Sequence, residues 1–204
     1  MRLKPIFITG IHTGIGKTIA SAVLVEKLKA DYWKPIQSGD LETSDTLTVQ
    51  CLVSNDKSTF HPETYRLSQP YSPHKSAKLD NIEIELSNFI VPDTANQLII
   101  EGAGGLMVPL NDTDLMVDLI DQLKADVILV VQHYLGSINH TLLSLALLKS
   151  RNIALKGIII SGKRDEFSEK AIRNLSNVPI LGFIDHLEPV DKNSIKTAGE
   201  SIEI

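Results

Sequence analysis

Residues Pro5 to Thr18 read PIFITGIHTGIGKT, a short β-branched run that opens into a glycine-rich turn and closes on Gly-Lys-Thr. The run predicts a strand, and a helix is expected to begin near Gly16. Glycines in such a turn let the backbone curl with its N–H groups pointing inward, which makes a phosphate cradle. Lys17 then supplies a point charge to the terminal phosphates, and the Thr18 hydroxyl is placed to ligate Mg²⁺. The helix adds the positive end of its dipole. Five residues separate Gly10 from Gly16, one more than the usual P-loop interval. The bland alternative, a glycine turn that holds no ligand, is disfavoured by the order strand, turn, Gly-Lys-Thr, helix.

Working outward, β-branched and aliphatic runs recur at Ile6 to Thr9, Leu98 to Glu101, Val127 to Gln132, Gly157 to Ile160 and Ile180 to Ile184. They read as strands buried on both faces, the kind found in parallel sheets covered by helices. Helical patterns fall between them at Thr18 to Ala30, Asp45 to Val53, Met116 to Lys124, Ser137 to Ser150 and Ser168 to Leu175. A short strand is expected around Tyr32 to Lys34. The alternation predicts an α/β fold with a doubly wound, mostly parallel sheet flanked by helices, of P-loop NTPase type. Residues 54–96 are polar, carry Pro62, Pro70, Pro73 and Pro92, and read as a loop-rich excursion with one helix near Ile82 to Phe89. No repeat or low-complexity tract is present.

The chain has 204 residues, 43% of them hydrophobic and 22% charged, which suits a single domain spanning 1–204. A net charge of −5 without a basic stripe argues against a nucleic-acid partner. The single cysteine, Cys51, excludes an internal disulfide and fits a reducing cytoplasm; it is expected to be a small buried residue on a helix. The apolar run at Ile6 is too short for a signal peptide, and no segment approaches the roughly 20 apolar residues that span a bilayer. A cytoplasmic protein without a membrane partner is therefore expected. The six histidines, His12, His61, His74, His133, His140 and His186, lack the spacing of a zinc site.

Ligands of open α/β sheets bind beyond the carboxyl ends of the strands. Three motifs lie there: the cradle, Trp33-Lys34-Pro35-Ile36-Gln37-Ser38-Gly39, and Glu101-Gly102-Ala103-Gly104-Gly105. All are expected to meet in one cleft. Glu101, at the tip of its strand, has the position of a metal-ligating acid. Asp45 is either a second acid on the same ion or a helix N-terminal carboxylate facing the dipole. Lys34 either points into the cleft towards an anion or snorkels at a strand end. Ser38-Gly39 either offers a hydroxyl and a close backbone approach or marks a plain turn.

The cradle Gly10 to Thr18, the Lys-Pro-x-x-Ser-Gly of Lys34 to Gly39, Ser44-Asp45, Ser72-Pro73-His74, Glu101 to Gly105, and Leu135-Gly136-Ser137-Ile138-Asn139-His140 follow one another in an order that resembles the dethiobiotin synthetase family. The resemblance spans most of the chain. It implies a homodimeric, Mg-ATP-dependent ligase of biotin biosynthesis. Such an enzyme converts 7,8-diaminononanoate and CO₂ to dethiobiotin, with ADP and phosphate released, through a carbamate and a carbamic-phosphoric anhydride. It further implies Lys34 and Lys17 as catalytic cations, Lys34 stabilising the carbamate and the transferring phosphoryl group. Thr18, Asp45 and Glu101 would be the Mg²⁺ ligands. ATP, the co-substrate, would lie on Gly14, Ile15, Gly16, Lys17, Thr18 and Ile19, with Asp45, Glu101, Gly102, Ala103 and Gly104. Thr13 and Ser38 match positions close to the diamine and carbamate. Gly136, Ser137, Ile138 and Asn139 would reach the substrate carboxylate across the dimer interface, so active sites would need both subunits. The apolar residues of His140 to Leu148 are either core, the favoured reading, or dimer seam.

The chain departs from the family pattern at several points. His12 replaces an acid or a small residue, and Gly14 an acidic one. Ser161-Gly162 stands where an Asn-Asp pair reads the adenine, and Asp185-His186-Leu187 lacks a proline after Ile184. The base would still lie against Ser161, Gly162, Asp185, His186 and Leu187, with ATP, GTP and CTP all open. Two other classes compete. A nucleotide-switch ATPase of the partition or carrier type would carry a second lysine in the cradle, where Ile11-His12 stand. A small-molecule kinase would show an arginine-rich lid, and the 54–96 excursion has only Arg66.

Overall fold

Ile6–Gly10 forms strand β1, and every residue of it is buried. Side chains alternate along a strand, so a segment buried throughout needs apolar layers above and below it. The computed structural model, which describes residues 3–204, supplies both layers. After β1 come α1 (Lys17–Leu28), β2 (Asp31–Trp33), β3 (Ile36–Ser38), α2 (Asp45–Leu52), β4 (Phe60–His61), β5 (Tyr65–Leu67) and α3 (Pro73–Leu79). They are followed by β6 (Leu98–Gly105), α4 (Met116–Gln122), β7 (Asp126–Val131), α5 (Ser137–Ser150), β8 (Leu155–Ser161), α6 (Glu166–Ser176), β9 (Ile180–Ile184) and α7 (Lys192–Ala198).

Seven strands form one parallel sheet in the order β4-β2-β6-β1-β7-β8-β9. Ile6 and Ile8 join an apolar cluster with Val23, Val49 and Ile195, on the face covered by α1, α2 and α7. Phe7 turns the other way, to Trp33, Ile100 and the α4 residues Leu119 and Ile120. Leu129 and Ile158 pack with Leu145 of α5 and Ile172 of α6. Full burial of each such side chain contributes about 1.5–3 kcal/mol. From β1 the chain first builds β2 and β6 on one side of the sheet, then crosses to β7 on the other. A crevice opens at the carboxyl end of the strand where that reversal occurs, and the cradle stands there.

The five strand runs and the five helical patterns outside the excursion all form, within a few residues of their expected limits. The excursion differs. No α-helix covers Ile82 to Phe89; only a 3₁₀ turn forms, at Leu86–Asn88. The helix lies earlier, at Pro73–Leu79, where proline suits the first turn. It stops because Asn81 adopts φ 56° and the Ile82 N–H returns to the Ala77 carbonyl. Ile84 and Phe89 then anchor the following segment in the core. The pair β3–β5, the short β4 and α7 were not signalled by any periodic run. Cys51 is exposed rather than buried, because α2 turns Thr46, Val49 and Leu52 inward.

Candidate active site

The cradle is built as its sequence requires. Gly16 caps α1 at φ 87°, in the left-handed region, and no side chain caps the helix. A Cβ there would run into the Ser161 hydroxyl, so only glycine serves. The uncapped N–H groups of α1 are left to receive an anion. Lys17 folds back over the loop, its Nζ donating to the His12 carbonyl at 3.2 Å. Burial lowers the Lys17 pKa; Glu101 opposes this, and the nearby Lys34 charge adds to it.

Residues from all three expected motifs line one cavity of about 670 Å³: Thr13 to Ile19 from the cradle, Lys34 and Ser38, and Glu101, Ala103 and Gly104. Asp45 also faces it. Glu101 is not at a strand tip, as expected, but in mid-strand. The glycines after it keep β6 paired with β1 as far as Gly10 and Gly105. It is nevertheless the most connected acid in the cleft. Glu101 Oε1 lies 3.0 Å from Thr18 Oγ1 and 3.1 Å from Lys34 Nζ, while Oε2 accepts from the Tyr32 hydroxyl at 3.0 Å. Asp45 completes the group, with Oδ1 2.8 Å from Thr18 Oγ1 and Oδ2 2.5 Å from Lys34 Nζ.

The electrostatics follow from this packing. Burial alone would lower the Lys34 pKa, but the charges of Glu101 and Asp45 outweigh it and raise the value. Burial would raise that of Asp45, yet Lys34 and the Thr18 hydroxyl bring it below the usual carboxylate range. Tyr32 is pushed well up by burial and then by the two acids, so it stays a proton donor to Glu101. Of the two readings open for Lys34, the snorkelling one is excluded, since its side chain is 5% exposed. Thr18, Asp45 and Glu101 bring hydroxyl and carboxylate oxygens to one point, a hard donor set of the kind Mg²⁺ takes. Ser38 lines the same cavity, while its Oγ is turned out of reach of solvent and has no hydrogen-bond partner among the described residues.

Other expected site residues stand elsewhere. Gly102 lies against the Phe7 ring and does not line the cleft. Ser161 backs Gly16, Gly162 sits beside the Gln132 amide, and Leu187 packs on the core. Asp185 and His186 follow β9 on the exposed surface. Gly136 and Ile138 line a second cavity of about 780 Å³ with His133, Lys163 and Arg164. Ser137 is buried and Asn139 exposed at the same helix start. A third, apolar groove of about 620 Å³ joins the cradle at Thr13 and is walled by Ile11, Leu106, Met107, Val108, Leu143 and Leu147. Helix α5 sends Thr141, Leu145 and Leu148 inward but leaves Leu143 61% exposed on that groove. His12 is a surface residue whose ring meets Tyr134 edge-on at 6.1 Å.

Sequence reasoning passed over Tyr32 and Gln37. Tyr32 was within reach, since residues two apart on a strand share a face and Lys34 was already singled out. Gln37 carried no such signal.

A family described as AAA domain matches residues 4–194. The chain is 51% identical to the ATP-dependent dethiobiotin synthetase BioD of Christiangramia forsetii, over 97% of this chain and 95% of that protein. It is 49% identical to the enzyme of the same description from Cytophaga hutchinsonii, over 95% and 94%. Among solved structures, the cell division ATPase MinD of Pyrococcus furiosus superposes with a TM-score of 0.63 at 14% identity, covering 97% of this chain and 98% of that one. The ParA family ATPase of Chlorobium tepidum gives 0.59 at 15%, covering 97% and 91%. These last two show the fold alone, that of the P-loop ATPases. With cradle, acids and lysine assembled in one cleft and half of its residues shared along nearly its whole length, the chain belongs to the dethiobiotin synthetase family.

Proposed function

We propose that this protein is an ATP-dependent dethiobiotin synthetase, closing the ureido ring of dethiobiotin from 7,8-diaminononanoate and CO₂ with release of ADP and phosphate. The observation that carries the reading is the Lys34 ammonium at the floor of the cleft that the cradle and Lys17 also line. One substrate amine takes up CO₂ as a carbamate, whose oxygen attacks the γ-phosphate of ATP. The second amine then attacks the carbamoyl carbon of the mixed anhydride and phosphate leaves. Carbamate and triphosphate repel, so the step needs concentrated positive charge in a site that excludes water. Lys17 and Lys34, which line the same cavity, would supply it.

Mg²⁺ fits the oxygens of Thr18, Asp45 and Glu101, and when bound would neutralise phosphate charge. Thr13 and Ser38, which line the cleft, would serve the carbamate end of the diamine. The apolar groove beside Thr13 suits its hydrocarbon chain. The start of α5, with Gly136, Ser137, Ile138 and Asn139, lies outside the cleft of its own protomer. It would serve the substrate carboxylate of a second protomer in a homodimer. The nucleotide base would rest against Ser161, Gly162 and the segment Asp185 to Leu187. The partition-ATPase reading rests on fold alone and gives Lys34 no task.

The test is phosphate release with ATP, GTP or CTP, each with and without diaminononanoate and bicarbonate. Release that requires the diamine is expected; release indifferent to it would refute the reading.

A further inference from the structure

Gln37, in the middle of β3, is 5% exposed, and its amide reaches in two directions. Nε2 donates to the Gly39 carbonyl at 3.0 Å, and Oε1 accepts from the Asp45 N–H at 3.2 Å. The two ends serve different parts of the cleft. Gly39 turns at φ 73°, donates its N–H to Leu67 O at 2.8 Å, and would press any Cβ to within 2.6 Å of Pro70. That turn therefore has little room to shift, and it fixes the neighbouring Ser38, which lines the cleft. Asp45 opens α2 and presents its carboxylate to Thr18 and Lys34. A buried amide needs its partners, and here both are backbone groups whose positions set those two side chains.

We infer that Gln37 is a positioning residue that couples the substrate-side turn Ser38–Gly39 to the metal-side carboxylate of Asp45. This rests on the dethiobiotin synthetase reading above. Glutamate at this position keeps an acceptor for the Asp45 N–H but sets a carboxylate against the Gly39 carbonyl. Leucine keeps the bulk and removes both contacts.

The experiment measures diamine KM and kcat, together with calorimetric binding of ADP with and without Mg²⁺, for the wild type, Gln37→Glu and Gln37→Leu. The glutamate variant should raise the diamine KM by more than about tenfold, since a buried carboxylate set against a carbonyl costs more than one lost hydrogen bond, while Mg²⁺-ADP affinity falls less than in the leucine variant. The leucine variant should raise that KM and also weaken Mg²⁺-ADP by about three- to tenfold, while Mg²⁺-free ADP binding holds. A purely structural role would lower the melting temperature and leave this split absent. Native KM in the glutamate variant overturns the inference, whether or not the leucine variant folds. So does a loss in the leucine variant that is equal with and without Mg²⁺. A wild type that needs no diamine for turnover refutes the parent reading instead, and the ADP calorimetry still reports on the Asp45 contact.

Discussion

Lys34 Nζ lies 3.1 Å from Glu101 Oε1 in the floor of the cleft, and both side chains are almost fully buried. A buried lysine between carboxylates is held charged, as the raised Lys34 pKa shows. Its three N–H donors go to Asp45 Oδ2, Glu101 Oε1 and the Gly102 carbonyl, so it meets a developing negative charge by its field and by yielding one of these bonds. Lys34→Gln should lower kcat by about 100-fold or more, the size of effect seen when one electrostatic contact to a transition state is removed. Affinity for ADP, followed by calorimetry, should stay near native, because the charge is needed most as the phosphoryl group moves. Equal losses in both would argue that Lys34 only binds nucleotide.

The Tyr32 hydroxyl donates to Glu101 Oε2 at 3.0 Å from a fully buried position. Tyr32→Phe keeps the ring and removes the donor. A hydrogen bond to a charged group contributes about 1.5–3 kcal/mol, and the variant should lose that much in urea unfolding. It should also need more Mg²⁺ for half-maximal turnover, since Glu101 loses its fixed orientation. Native stability would show that the bond carries no weight.

Asp31 opens β2 and accepts from the Thr59 N–H and Asn96 Nδ2, each at 2.9 Å. Burial would raise its pKa, but bonds from Asn96, Thr94, Thr59 and His61 outweigh this and lower it. A carboxyl with a depressed folded pKa binds fewer protons folded than unfolded. Its stabilisation is complete above the unfolded value of about 3.9 and fades as pH falls through the folded one. Asp31→Asn should therefore lower stability at pH 6 and flatten its decline between about pH 5 and 3. Parallel pH profiles for the two proteins would contradict that.

Asn139 is exposed in the first turn of α5, away from its own cleft. If it serves a carboxylate across a dimer, Asn139→Ala should raise the diamine KM by about tenfold or more and leave ADP binding native. Mixing it with Lys34→Gln should regain activity, because each hybrid dimer then holds one intact site. A mixture no more active than its parts would remove the shared site.

The sheet was legible because buried parallel strands write themselves as unbroken aliphatic runs, from Ile6 to Ile184. The cradle was legible because Gly16, at φ 87°, tolerates no other residue. The excursion was not. Its helix at Pro73–Leu79 is seven residues long, too short to show a period, and Ile84 and Phe89 are single anchors rather than a face. Within the site, Lys34 and Glu101 stood out as charges in apolar surroundings. Gln37 did not, since what matters is an amide bridging Gly39 and Asp45, and that pairing exists only once β3 and α2 are brought together. Cys51 misled because α2 carries apolar residues on both faces, Leu47 being exposed as well, so the pattern does not tell which side turns inward.

The most direct test of the central claim feeds the enzyme ¹³C-bicarbonate, diaminononanoate and Mg-ATP and reads the product by mass spectrometry. The account predicts dethiobiotin carrying the label in its ureido carbon, with one phosphate released per labelled ring. Phosphate released without any labelled ring product would contradict it.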